Sequence, residues 1–134
     1  LADDVLIWHK ADVSIAYVCE DPTKFTSHSD SATTVPIGYE AITELPRTEG
    51  YVLSMAHSTK GYSFAEKVGG SSNKGYCDYY WTPTGGSTWS AVGWYGALLS
   101  ATAHYGASAG FGCLSAFHRS SYAFAYFGFR LCRF

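Results

Sequence analysis

The stretch YAFAYFGFRLCRF, residues 122–134, decides the predicted architecture of the C-terminal end. Its first five residues alternate large aromatic side chains with alanine. Because successive side chains of a β-strand point to opposite faces, a strand here lines one face with three rings and the other with two alanines. The pattern predicts an exposed aromatic face formed by Tyr122, Phe124 and Tyr126, with Ala123, Ala125 and Phe127 buried behind it.

The same spacing of large or polar residues between small ones continues upstream, through residues 104–110 and 115–118. Tyrosine, serine and glycine also dominate evolved binding surfaces, because a ring supplies contact area at low rotamer cost while small polar residues adapt. We therefore expect one contiguous binding surface. Its predicted positions are His104, Tyr105, Ser108, Ser115, Phe117, His118, Tyr122, Phe124 and Tyr126, with Tyr95, Ser100 and Thr102 as further candidates.

An ordinary structural interpretation of these rings is also open. Tyr122, Phe124 and Tyr126 could be the buried face of an amphipathic strand, and composition alone favours that interpretation. The neighbouring His104, Tyr105 and His118 favour the exposed surface instead, because a core seldom gathers two histidines and many phenols without acid or amide partners.

Composition narrows the class of protein. A chain of 134 residues fits a single domain with a core of its own, and 17% of its residues are aromatic against 15% charged. Some aromatics are therefore expected at the surface or in an interface. Trp81, Trp89 and Trp94 are instead expected to form the core beneath the predicted binding surface. The net charge of −2 argues against a nucleic-acid-binding protein, which needs a basic patch to neutralise phosphates. No apolar run approaches the roughly 20 residues needed to span a bilayer, so no membrane insertion is expected.

The order of apolar runs and turn residues predicts an α+β fold. A helix is expected over Tyr39–Leu45, ended by Pro46, and another over Gly61–Val68, where Phe64, Ala65 and Val68 have helical spacing. Asp21–Pro36 is predicted to be a loop. The predicted strands, mostly antiparallel and short, are Val5–Trp8, Val13–Cys19 (expected to pair with the first), Tyr51–His57, Tyr76–Trp81, Thr88–Tyr95, Gly110–Phe117 and Tyr122–Cys132.

Residues 104–133, HYGASAGFGCLSAFHRSSYAFAYFGFRLCR, resemble the variable region of proteins diversified by retroelements. In that family, asparagine codons are mutagenised at adenines, and the nine positions named above all carry residues reachable in that way. The resemblance rests on their spacing and on the terminal Gly128-Phe129-Arg130. It implies a C-type lectin-like fold spanning residues 1–134, with a variable region at about 93–126 and a closing strand at 127–134.

The resemblance further implies a variable ligand-binding module that recognises a protein or glycan on a host or target cell. Such modules lie at a phage tail tip or on a bacterial cell surface. Two alternatives stay open. The first is a structural or oligomerisation domain of a phage tail or fibre, which could assemble as a homotrimer. The second is an enzyme on a scaffold like that of formylglycine-generating enzymes. The spacing of Cys113 and Cys132 does not match the cysteine pair of those enzymes.

Catalysis, metals and cofactors find little support in the sequence. No carboxylate lies near His104 or His118 along the chain to complete an acid–base pair, and Ser120-Ser121 lacks a nucleophile-elbow pattern. After Asp78 the chain has no Asp or Glu, so a calcium-dependent sugar site is not expected there. We expect no enzyme activity, no metal and no cofactor. The four cysteines match no zinc pattern, and whether they form disulfides stays open.

Overall fold

A computed structural model describes residues 2–10, 12–26, 28–29, 31–73, 78–82, 92–99, 114–119 and 131–132. These residues form a mostly β fold with one short 3-10 helix, Pro22–Lys24. The strands, numbered in chain order, are β1 (Ala2–His9), β2 (Ser14–Cys19), β3 (Glu40–Leu45), β4 (Gly50–His57), β5 (Ser63–Val68), β6 (Tyr79–Trp81), β7 (Gly93–Leu99), β8 (Leu114–Arg119) and β9 (Leu131–Cys132).

The strands follow the order β3-β2-β1-β7-β8-β6-β4-β5, and β9 pairs with the start of β1. All of these pairs are antiparallel except β6 with β8, which is parallel. The predicted pairing of the first two strands is confirmed, with Ile7 opposite Ala16. β3 and β5, which end the order, approach each other, so the sheet folds over on itself.

The main core fills the space between the two layers of the folded sheet. One layer contributes Val5, Ile7, Ala16, Val18 and Tyr95, and the other contributes Val52, Phe64, Ala65 and Tyr80. A second core lies on the opposite face of β1, β2 and β7, where Leu6, Tyr17 and Trp94 are covered by the loop over residues 20–39. β1 is therefore buried on both faces, as its apolar run Val5-Leu6-Ile7-Trp8 requires.

The predicted α+β, C-type lectin-like fold with two short helices is wrong, because both helix candidates are strands. Tyr39–Leu45 becomes β3, and its six strand residues include the β-branched Ile42 and Thr43, which favour strands. A segment this short also cannot nucleate a stable helix without strong local support.

The second helix candidate, Gly61–Val68, becomes β5 for a different reason. The pairing of β4 with β5 shifts register on both sides of Ser54, which marks β-bulges. A bulge interrupts the strict two-residue alternation of a strand. Phe64 and Ala65 are consequently both buried, with Val68 half-buried, and the resulting spacing in sequence imitates one face of a helix.

Several predicted strands are confirmed with altered bounds. Tyr51–His57 matches β4, and the described part of Tyr76–Trp81 forms β6. The strand predicted to end at Tyr95 instead runs to Leu99, and the strand predicted over Gly110–Phe117 runs from Leu114 to Arg119. Of the predicted Tyr122–Cys132 strand, only β9 belongs to the described residues.

Candidate ligand-binding surface

Three of the nine predicted binding positions lie on a described strand. Ser115, Phe117 and His118 belong to β8. The other six (His104, Tyr105, Ser108, Tyr122, Phe124 and Tyr126) lie outside the described residues, as do the further candidates Ser100 and Thr102 and the residues Ala123, Ala125 and Phe127 predicted to be buried.

Tyr95, the remaining candidate, does not belong to an exposed surface. Its side chain is 1% exposed and packs in the main core. The ring of His9 contacts it edge-on, with 4.8 Å between the ring centroids. Because β7 is covered on both faces, its consecutive aromatic residues Trp94 and Tyr95 are both buried, and Tyr95 is removed from the candidate binding residues.

β8 is held by its two neighbours in the sheet. It pairs with β7, where Gly96 is opposite His118 and Leu98 is opposite Ser115. On its other side it runs parallel to β6, with Trp81 in register with Ser115. The strand that carries three predicted binding positions therefore connects the two layers of the fold.

β7 is packed on both faces, and on one of them the packing contacts are made by Trp94. Its ring stacks on Trp8 at 4.8 Å and meets Tyr17 edge-on at 5.3 Å. Its indole nitrogen donates a 3.0 Å hydrogen bond to the carbonyl oxygen of Ala32 in the 20–39 loop. The predicted burial of Trp94 is confirmed, since this residue has no exposed surface.

The 20–39 loop is fastened to the sheet by Tyr39. The Tyr39 hydroxyl donates a hydrogen bond to the Asp4 carboxylate and accepts one of 3.1 Å from the backbone nitrogen of Thr26. Burial, and then the Asp4 carboxylate, raise the pKa of Tyr39. At the start of the loop the Thr23 hydroxyl bonds to the Asp21 carboxylate and lowers the pKa of that group.

A buried polar cluster closes one end of the main core. The Nδ1 atom of His9 lies 2.5 Å from the Ser14 hydroxyl, and both residues have no exposed surface. Arg47 donates hydrogen bonds of 3.0 Å to the Ser14 hydroxyl and 2.9 Å to the carbonyl of Lys10. Such a serine–histidine pair resembles half of a nucleophilic site, but a hydroxyl without exposed surface cannot meet a substrate. The cluster instead holds the turn between β1 and β2.

Tyr80 extends this buried end of the core. Its side chain is fully buried, and its hydroxyl donates a 2.9 Å hydrogen bond to the carbonyl of Pro46. Burial raises the pKa of Tyr80 to about 12.

Sequence reasoning missed a row of aromatic rings on the other face of β4 and β6. Tyr51 meets Tyr79 edge-on at 5.0 Å, and Tyr79 contacts Trp81 at 4.6 Å with the rings inclined by 44°. All three residues are half-buried. Trp81, predicted to belong to the core, is only half-buried, and Trp89, of which the same was predicted, lies outside the described residues. The alternation Tyr79-Tyr80-Trp81 was the signal, because it places Tyr80 in the core and the other two rings on the opposite face.

Within the described ranges, no three His, Cys, Asp or Glu side chains are grouped as a metal site would require. No helix among the described residues is long and apolar enough to cross a membrane. Cys19 is a buried free thiol, and the side chains of the other three cysteines lie outside the described residues.

Comparison of the chain with protein-family models, with curated proteins and with solved structures finds no significant match.

Proposed function

We propose that the chain is a variable ligand-binding module whose binding surface includes β8 and the segment that follows it. The target would be a protein or glycan on a host or bacterial cell, and the module would lie at a phage tail tip or on a cell surface. The observation that carries the proposal is the attachment of β8 to β7, a strand fixed on both faces by Trp94 and Tyr95.

The physical requirement for such a module is a scaffold that stays in place while surface side chains change. Binding side chains are most precise when they are held on rigid elements with well-packed support. The two buried clusters keep β1, β2 and β7 in fixed register without any requirement for the helices of a lectin-like fold. The proposal therefore does not depend on the predicted lectin-like fold, which is wrong because its two expected helices are the strands β3 and β5.

Sequencing sibling copies of the gene from the same locus tests the proposal. We expect differences concentrated at His104, Tyr105, Ser108, Ser115, Phe117, His118, Tyr122, Phe124 and Tyr126, with Trp94 and Tyr95 unchanged. Differences spread equally over the core strands and these nine positions would contradict it.

A further inference from the structure

We propose that Glu49, Tyr51, Tyr79 and Trp81 form a fixed site for a cationic side chain of a partner protein, guanidinium or ammonium. None of these four residues is among the positions proposed to vary. The site therefore goes beyond the proposed function and stands or falls without it.

The three rings form a continuous row across two paired strands. Tyr51 and Tyr79 are opposite each other in the register of β4 and β6, and Trp81 follows two residues later on the same face. The strands are anchored from behind, because Val52 and Tyr80 on the opposite face have no exposed surface. The strands that carry the rings are thus held by the core, and all three residues are half-buried.

The charge beside the row identifies the kind of partner. Glu49 directly precedes β4 and lies two residues before Tyr51, which is opposite Tyr79, so its carboxylate is placed beside the row. In agreement with this position, burial and then the Glu49 carboxylate raise the pKa of Tyr79. The ion pairs among the described residues join Lys24 to Asp21 and Lys60 to Glu20 and Glu40, so Glu49 belongs to none of them. Aromatic faces attract cations, and a neighbouring carboxylate adds to that attraction.

The ring geometry argues against stacked nucleobases as ligands. The Tyr51 and Tyr79 rings are inclined by 83°, and those of Tyr79 and Trp81 by 44°. Such rings do not form the flat platform on which nucleobases stack, and the Glu49 carboxylate repels phosphates. A compact cation needs only one ring face and a nearby negative charge.

The row lies next to the strand that carries three of the predicted binding positions. β6 runs beside β8, with Trp81 in register with Ser115. A partner bound at Ser115 would have Trp81 beside it on the neighbouring strand, where a basic side chain of that partner could meet the row.

The test is an NMR titration of the full chain with N-acetyl-arginine amide, compared with the uncharged isostere N-acetyl-citrulline amide. We expect the arginine probe to shift the Trp81 indole and Tyr79 ring signals, and the citrulline probe to shift them much less. Glu49→Gln should weaken binding of the arginine probe by about two- to fivefold. The control Glu66→Gln makes the same charge change on the exposed face of β5 and should leave the binding unchanged.

Equal shifts with the two probes, no shift with the arginine probe, or unchanged binding in Glu49→Gln would each overturn the proposal. Tyr79→Leu, which removes the central ring, provides a second variant, with its fold checked by a thermal melt. If that variant fails to fold, the Glu49→Gln comparison still decides. Sibling sequences test β8 separately, so failure of this site leaves the proposed variable surface open to its own test.

Discussion

Trp94, in β7, is joined by its contacts to β1, β2 and the 20–39 loop. Its ring contacts the rings of Trp8 in β1 and Tyr17 in β2, and its indole nitrogen fastens the 20–39 loop through Ala32. The ring of His28, from the same loop, meets it edge-on at 5.3 Å. The position of β7, and through it that of β8, depends on this packing.

We expect Trp94→Ala to lower the free energy of unfolding by about 3–5 kcal/mol, because it leaves a large cavity and removes a hydrogen bond to the loop. Thermal or urea denaturation measures the change. The control is Val92→Ala at a neighbouring site that is 54% exposed, which should change stability by within about 0.5 kcal/mol. Similar melting points for the two variants would contradict the packing described for Trp94.

Tyr80 predicts how stability depends on alkaline pH. Its pKa is about 12 in the folded protein, against about 10 for an unburied tyrosine. The raised value means that folding favours the protonated phenol. This contribution is present in full below pH of about 10 and is lost as the pH rises toward about 12.

Denaturation of the wild type and Tyr80→Phe between neutral pH and pH of about 12 checks this sign. At neutral pH the variant should be less stable by about 1 kcal/mol, because it lacks the hydrogen bond to Pro46. The difference should shrink, or reverse, at the alkaline end because phenylalanine has no proton to lose. A constant difference across the range would contradict the raised pKa.

At the residue scale, the sequence correctly predicted the burial of Trp94 but not that of Tyr95. The failure has a physical origin. A strand buried on one face alternates, whereas a strand buried on both faces has consecutive apolar residues, and a tyrosine in it resembles an exposed aromatic. Which type of strand β7 is depends on the 20–39 loop and the second layer, and neither contact can be read from local sequence.

At the element scale, β3 and β5 are the two strands whose approach closes the folded sheet. Lys60, in the turn before β5, lies 2.5 Å from the Glu40 carboxylate at the start of β3 and 3.8 Å from that of Glu20. The Lys60 ammonium lowers the pKa of Glu40. Beneath this exposed contact, the Tyr62 hydroxyl donates a 3.4 Å hydrogen bond to Glu20.

We expect Lys60→Met to lower the melting temperature only slightly, because all three charged groups are exposed and such pairs are screened by solvent. The loss should be larger at low salt than at high salt, since ions screen the wild-type pairs. Thermal melts at two salt concentrations measure it, and Lys67→Met on the exposed part of β5 is the control. A large loss of stability would contradict the description of these groups as exposed ion pairs screened by solvent.

The sequence correctly predicted the strands β1, β2 and β4, but the two helices that it predicted are the strands β3 and β5. β1, β2 and β4 have β-branched or aromatic runs whose type needs no tertiary information. β3 and β5 are six residues long, too short for periodicity to separate strand from helix. Their form is decided by pairing with β2 and β4, which includes the bulges that disturb alternation.

At the scale of the whole molecule, two regions differ in both charge and proposed role. All eleven acidic residues lie at or before Asp78, and only Arg119, Arg130 and Arg133 are charged after it. The region up to Asp78 contributes β1 to β5 and, to the aromatic row, Tyr51 and the neighbouring Glu49. The region after it contributes Tyr79 and Trp81 to the row, together with β6, β7, β8 and the positions proposed to vary. The spacing of residues in the sequence led to the predicted variable positions, and the alternation Tyr79-Tyr80-Trp81 was a signal for two rings of the row. The pairing of β4 with β6, which brings Tyr51 beside them, could not be predicted from the sequence.

The central claim is that the predicted binding side chains serve recognition and not folding. Replacing Tyr105, Phe117, Tyr122, Phe124 and Tyr126 together by serine tests it most directly, with denaturation curves measured beside binding to candidate host cells. Interface aromatics carry a large share of binding energy, and exposed positions usually change stability by within about 0.5 kcal/mol each. We predict a folded variant, melting close to the wild type and well above Trp94→Ala, that no longer binds the cells the wild type binds. A variant that unfolds would show that these rings form core, and the chain would then be a structural domain without a variable recognition surface.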